Sequence, residues 1–231
     1  MKIGILGAMD QEIALIKSAL KNCQTRQWKH LTFFTGTLNN AEVVLVKCGI
    51  GKVAAGIATT VLIEQYKPDY VVNTGSAGGF DPALDIGDVV IGTAVKYHDV
   101  DITHFGYEKG QCAGMPEQYT CDQTMIDAAT SATSAISDIK KRQGLICTGD
   151  SFVGSDEAAQ VILQAFPSLK AVEMEGAAIG QTCYLTDTPF LVIRSLSDIA
   201  GKTSTVSFQE YLDTAAKNSA ELVMGMIARL A

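Results

Sequence analysis

The chain has 231 residues, 47% of them hydrophobic and 19% charged, with a formal net charge of −7. It is long enough to bury a substantial core and too apolar to be disordered. The negative balance excludes a general nucleic-acid binder, because phosphate contacts need a basic face.

The elements follow in chain order. Apolar runs of strand length stand at Ile3–Leu6, Val43–Lys47, Tyr70–Asn73, Val89–Ile91, Gly144–Thr148 and Phe190–Arg194. Several are apolar at consecutive positions, as in strands covered on both faces. Helical spacing marks Asp10–Leu20, Lys52–Tyr66 and Ser207–Leu230, and alanine richness marks Ala171–Tyr184. Tyr97–Thr120 is the longest stretch without clear periodicity, and loops of that length are often functional. Strand–helix alternation predicts an α/β fold, a three-layer α/β/α sandwich with a central mixed sheet. With no linker or repeat, residues 1–231 read as one domain.

No segment approaches the roughly 20 apolar residues of a membrane span, so no membrane partner is expected. The apolar start, Met1–Gly7, is too short for a signal peptide and Asp10 breaks it. Cysteines 23, 48, 112, 121, 147 and 183 show no CxxC spacing. The expectation is reduced thiols in a cytoplasmic protein.

Two segments carry most of the chemistry. Val172-Glu173-Met174-Glu175 and Arg194-Ser195-Leu196-Ser197-Asp198 set acids beside apolar walls, and the second adds a guanidinium. Gly7-Ala8-Met9-Asp10-Gln11-Glu12 and the glycine-rich turn Asn73-Thr74-Gly75-Ser76-Ala77-Gly78-Gly79 complete the inventory. Separated carboxylates with one guanidinium suit cleavage at a sugar carbon by acid–base chemistry, without metal or cofactor.

Three other motifs are set aside. Gly49-Ile50-Gly51-Lys52-Val53-Ala54 fits the dinucleotide fingerprint, but the following strand ends on Asn73 where an acid is required. Gly201-Lys202-Thr203 resembles the end of a P-loop, but Leu196 stands where its first glycine belongs, and Lys202 reads as a solvated loop residue. His98 and His104, flanking Asp99 and Asp101, lack metal-ligand spacing and read as a polar loop.

Several segments together resemble the purine nucleoside phosphorylase/uridine phosphorylase superfamily, and within it the nucleosidases of 5′-methylthioadenosine and S-adenosylhomocysteine. They are Gly4–Met9 with Glu12, Gly49-Ile50-Gly51, Gly75–Gly79, Tyr97-His98-Asp99 with Phe105-Gly106-Tyr107, Gly149-Asp150-Ser151-Phe152, Glu173-Met174-Glu175 and Arg194–Asp198. The resemblance covers nearly the whole chain and implies a nucleoside phosphorylase-like fold.

It also implies roles. Asp198 would protonate purine N7, and Glu12 would activate water. Glu175, beside Glu173, would grip the ribose hydroxyls, since an ionised carboxylate offers two acceptor oxygens. Met174 would pack on the sugar. Phe152 would stack on adenine and the Val153 backbone would read its edge, while Ser76 and Arg194 would help hold water and sugar. Met9, Ile50 and Phe208 would line an apolar 5′ pocket, and Ala77, Gly78 and Ser197 would border the site. Ile102, Phe105 and Tyr107 would complete the pocket of a partner subunit in a homodimer. The implied ligands are adenine thionucleosides, including 5′-deoxyadenosine, with a place in methionine salvage. Ala113 departs from the proline expected in close relatives.

Phosphorolysis needs a phosphate clamp, for which arginine is the preferred tool. The chain has only Arg26, Arg142, Arg194 and Arg229, and reads Asn73-Thr74-Gly75-Ser76 where purine phosphorylases resemble Arg-x-Gly-Ser. Hydrolysis is therefore expected. A futalosine-type nucleosidase and a nucleoside phosphorylase are the alternatives.

Overall fold

The computed structural model describes residues 1–133, 139–200 and 204–231. Gly201, Lys202 and Thr203 lie outside them.

The sheet grows from β1 (Lys2–Gly7), which pairs in parallel with β4 (Ala41–Lys47) and β5 (Tyr70–Gly79). Ile3, Ile5, Leu6, Val43–Val46, Val71 and Val72 are all buried, which is why these runs are apolar without alternation. An antiparallel hairpin, β2 (Lys21–Trp28) and β3 (Leu31–Leu38), extends this half beyond β4.

The other half closes on itself. β5 runs parallel to β10 (Phe190–Ile199), which is antiparallel to β6 (Val89–Tyr97). β6 is parallel to β8 (Lys141–Thr148), β8 to β9 (Leu169–Glu173), and β9 returns antiparallel to Gly78 and Gly79 of β5. A short β7 (Tyr119–Thr120) edges β6. Helices α1 (Asp10–Ala19), α3 (Gln123–Thr133) and α6 (Ser204–Leu230) pack together on one side. α2 (Lys52–Tyr66) and α5 (Gly176–Leu185) pair on the other, while α4 (Asp156–Ala165) covers a smaller apolar cluster with Val153 and Phe166. This is a mixed sheet between helical layers.

Several expectations are corrected. Asn73–Gly79 is strand, not turn: β5 continues to Gly79, and its glycines mark close approaches. A Cβ on Gly75 would stand 2.6 Å from Glu12 Oε1, and one on Gly79 2.6 Å from a Leu196 methyl. β10 likewise continues to Ile199, so Asp198 belongs to a strand rather than following one. The segment expected as one helix over Ala171–Tyr184 divides into β9 and α5, because Val172 and Glu173 pair with β8 while helix begins at Gly176. Tyr97–Thr120 holds a 3-10 turn at Thr103–Phe105 and β7.

Candidate active site

The C-terminal ends of β1, β5, β9 and β10 surround a cavity of about 280 Å3. Glu12 enters it from the first turn of α1, where its Oε2 reaches back to the backbone N–H groups of Ala8 (2.7 Å) and Met9 (3.1 Å). Its Oε1 accepts from the Ser76 N–H (2.9 Å) and hydroxyl (3.1 Å). Four donors thus hold one buried carboxylate.

Asp198 enters from β10 through a register shift. Leu196 pairs with Ala77 and Asp198 with Gly78, leaving Ser197 as the extra residue. A bulge re-aims the side chain that follows it. Leu196 stays in the core, while Asp198 Oδ2 comes 3.2 Å from the site a Gly78 Cβ would occupy. Ser197 Oγ donates to Asp198 Oδ1 at 2.8 Å.

Glu173 and Glu175 approach from the junction of β9 and α5. Glu173 Oε2 accepts from the N–H groups of Glu175 (2.9 Å) and Gly176 (2.7 Å) at the start of α5, where a negative charge is favoured. Glu173 is also bonded to the Thr148 hydroxyl and the Arg194 guanidinium. Glu175 has fewer partners: Oε1 accepts from the Gly51 N–H at 2.9 Å, and Oε2 lies 3.4 Å from Arg194 Nη2. Burial, followed by the charges of Glu173 and Glu12, pushes its carboxyl up to about 7 against the pull of Arg194 and the Gly51 N–H.

Arg194 is fully buried and does not line the cavity. Its Nη2 faces Glu173 and Glu175, while its Nη1 lies 3.5 Å from the Ser76 carbonyl oxygen and, with Glu12 Oε1, crowds Gly75. It bonds Asn73 Oδ1 as well as the two carboxylates. Burial works against its charge, but Glu173, Glu175 and Glu12 outweigh this and raise its pKa.

Met9, Ile50, Ser76, Ala77, Gly78, Phe152, Met174, Ser197 and Phe208 all border the cavity, as do Glu12, Glu173, Glu175 and Asp198. Phe152 and Phe208 meet edge to face with centroids 5.8 Å apart. Val153 borders an adjoining recess with Phe152, Met174 and Asp198. Ala8 and Val172, which the sequence presents only as parts of motifs, also line the cavity. Ile102, Phe105 and Tyr107 stand away from it, with Phe105 76% exposed.

The dinucleotide fingerprint has another use. Asn73 is mid-strand rather than at a strand end, and its Nδ2 donates to the Leu6 carbonyl at 3.1 Å. The N–H groups opening α2 are taken by carboxylates of the chain itself: Gly51 by Glu175, and Lys52 by Asp150 Oδ1 at 2.8 Å. The His98–His104 stretch is a salt-bridged loop, with Asp99 on Lys52 and Asp101 on Lys109, each at 2.7 Å. Among the described residues no cluster could hold a metal ion, and no helix is long and apolar enough to cross a membrane.

The profile of the Phosphorylase superfamily matches residues 2–228. A 5′-methylthioadenosine/S-adenosylhomocysteine nucleosidase of Psychromonas ingrahamii is 51% identical over 230 residues, with 100% of both chains covered. The like-named protein of Lysinibacillus sphaericus is 50% identical with the same coverage. Among solved structures, the nucleosidase of Colwellia psychrerythraea in complex with adenine superposes with a TM-score of 0.98 at 49% identity, covering 100% of this chain and 96% of that one. That of Neisseria meningitidis, in complex with methylthio-immucillin-A, gives 0.97 at 43% identity and 98% coverage of each. The chain belongs to the phosphorylase superfamily and, within it, to the family of 5′-methylthioadenosine/S-adenosylhomocysteine nucleosidases.

Proposed function

We propose that the protein hydrolyses the N-glycosidic bond of 5′-methylthioadenosine and S-adenosylhomocysteine, with 5′-deoxyadenosine as a further substrate, releasing adenine. One observation carries the mechanism: Glu12 and Asp198 are anchored two residues apart on β5, at Ser76 and Gly78. At roughly 3.3 Å per residue the anchors stand about 7 Å apart. Both carboxyls border the one cavity, so one can assist a leaving group while the other activates a water across the sugar.

In this reading Asp198 gives its proton to purine N7 as the bond to C1′ lengthens. Glu12 takes a proton from the attacking water, which replaces the rotatable Ser76 hydroxyl on Oε1. Glu175 accepts from the two ribose hydroxyls, and Met174 packs beside the sugar. Phe152 and Val153 face the adenine, while Met9, Ile50 and Phe208 surround the 5′ thioether. Four acids and no cation border the cavity among the described residues, which disfavours a phosphate nucleophile or a carboxylated 5′ tail.

Residues 1–231 act as one domain in this reading, in the cytoplasm and in methionine salvage. The exposed Phe105, with Ile102 and Tyr107, would reach the cavity of a second copy, giving a homodimer. Light scattering on the purified protein tests this, and a fully active monomer would contradict it.

The reaction is tested by adenine release from methylthioadenosine in phosphate-free buffer and again with phosphate added. Release that phosphate does not accelerate, with free methylthioribose, supports hydrolysis. Release only with phosphate, giving a sugar 1-phosphate, overturns it.

A further inference from the structure

The segment that carries Phe152 and Val153 is held by charges that the proposed reaction does not use. Gly149–Ser155 lies between β8 and α4 and belongs to no helix or strand. Phe152 is 48% exposed and meets Phe208 edge to face, while Val153 beside it is buried in the cluster under α4. The segment is tied down just before Phe152. Gly149 sits under the His98 imidazole, where a Cβ would collide, and its N–H donates to the Glu173 carbonyl at 3.1 Å. Asp150 is clamped twice: its N–H donates to Asp99 Oδ2 at 2.9 Å, and its Oδ1 accepts from the Lys52 N–H at 2.8 Å.

Asp99 and Lys52 close the clamp. Asp99 Oδ2 also takes the Lys52 ammonium at 2.7 Å, and the same ammonium stands 4.0 Å from Asp150 Oδ2. Burial works against the Asp99 charge, but the Lys52 ammonium and the Asp150 N–H outweigh it and hold the carboxyl below its usual range. Gly51 makes room: with φ at +95°, a Cβ there would stand 2.9 Å from Asp150 Oδ1. The Gly51 N–H meanwhile holds Glu175 at 2.9 Å. The start of α2 therefore fixes one carboxylate on the sugar side and one on the base side.

We propose that Asp99 is a positioning residue for base recognition: bonded at once to the Lys52 ammonium and the Asp150 N–H, it holds Phe152 where the adenine docks. An ion pair whose side chains keep about a quarter of their surface in solvent adds little to global stability. Its effect falls instead on a segment with no regular structure of its own, whose ordering costs entropy when a ligand arrives. The inference rests on the reading of Phe152 as an adenine-facing residue.

The test compares Asp99→Asn, Lys52→Met and Phe152→Ala in the full chain, by calorimetry with adenine, steady-state kinetics on methylthioadenosine and thermal melting. Asp99→Asn is expected to raise the adenine Kd and KM about fivefold to tenfold while kcat changes by less than about twofold, the pattern of lost binding common to ground and transition states. Lys52→Met reproduces the shift, and the double variant adds little to either, as expected for one shared network. If Phe152→Ala weakens adenine binding and neither Asp99→Asn nor Lys52→Met does, the inference is overturned and the base-facing reading stands. A fall in Tm with an unchanged adenine Kd also overturns it, because a purely structural clamp gives that result. If Phe152→Ala leaves adenine binding unchanged, the base-facing reading fails and the inference fails with it.

Discussion

Glu12 and Glu175 are both buried carboxylates on one cavity, and their surroundings differ. Glu12 meets four donors, three of them backbone N–H groups, so its oxygens are fixed by the fold. Glu175 meets one N–H at 2.9 Å and one long contact to a guanidinium. An ionised carboxylate can accept about four hydrogen bonds, so Glu175 has room for two hydroxyl donors and Glu12 has almost none to spare. On the proposed function, the difference separates a group held rigid for chemistry from one left unsaturated for binding. It also explains why burial pushes Glu175 up to about 7: too few donors compensate its lost hydration.

The comparison is broken most severely at Glu12. Glu12→Gln turns one acceptor oxygen into a donor facing other donors and removes the base. Its kcat should fall by roughly 10² to 10⁴, with substrate-analogue binding still measurable by calorimetry. Binding lost together with rate would make Glu12 a structural residue. A smaller effect belongs to Glu175→Gln, which should act mainly on KM, raising it by about tenfold or more with a lesser change in kcat. A kcat loss as large as that of Glu12→Gln would erase the distinction.

Acidity gives the mildest test. Below about pH 7 Glu175 holds a proton and accepts the hydroxyls poorly, so KM should rise as pH falls below that value and level off above it. Stability should move the other way. The unfolded chain releases this proton near the ordinary value of 4.5, whereas the native state keeps it to about 7. The native state therefore binds more protons between these values, and the Glu175 contribution makes stability fall as pH rises through that window. Titrations of KM and Tm check both signs, and Glu175→Gln should flatten both.

Much of this was legible in the sequence, for physical reasons that particular residues show. The runs Ile3–Leu6 of β1, Val43–Val46 of β4, Val71–Val72 of β5 and Phe190–Ile193 of β10 lack polar alternation because they are covered on both faces. Glu12 and Asp198 were recognisable because their flanking motifs resemble a known family. The β2–β3 hairpin was missed because β2, Lys-Asn-Cys-Gln-Thr-Arg-Gln-Trp, is exposed almost throughout and carries no hydrophobic period. α4 was also missed, although Ser155 with Asp156 and Glu157 is a readable helix start: the Ser155 hydroxyl accepts from the Ala158 N–H at 3.2 Å. The glycines of β5 read as a turn because sequence alone does not reveal that Arg194 and Glu12 crowd Gly75. Nor does spacing reveal that Arg194 is wholly buried against Asn73, Glu173 and Glu175, since that depends on packing between distant elements.

The central claim, that Asp198 supplies the leaving group's proton, is tested most directly by a change of leaving group. Asp198→Asn is compared with the unmodified protein on methylthioadenosine and on the 4-nitrophenyl glycoside of methylthioribose, whose phenolate departs without protonation. The account predicts a loss in kcat/KM of about 10² or more on the first substrate and less than about tenfold on the second. Equal losses on both would contradict it and leave Asp198 a binding or structural residue.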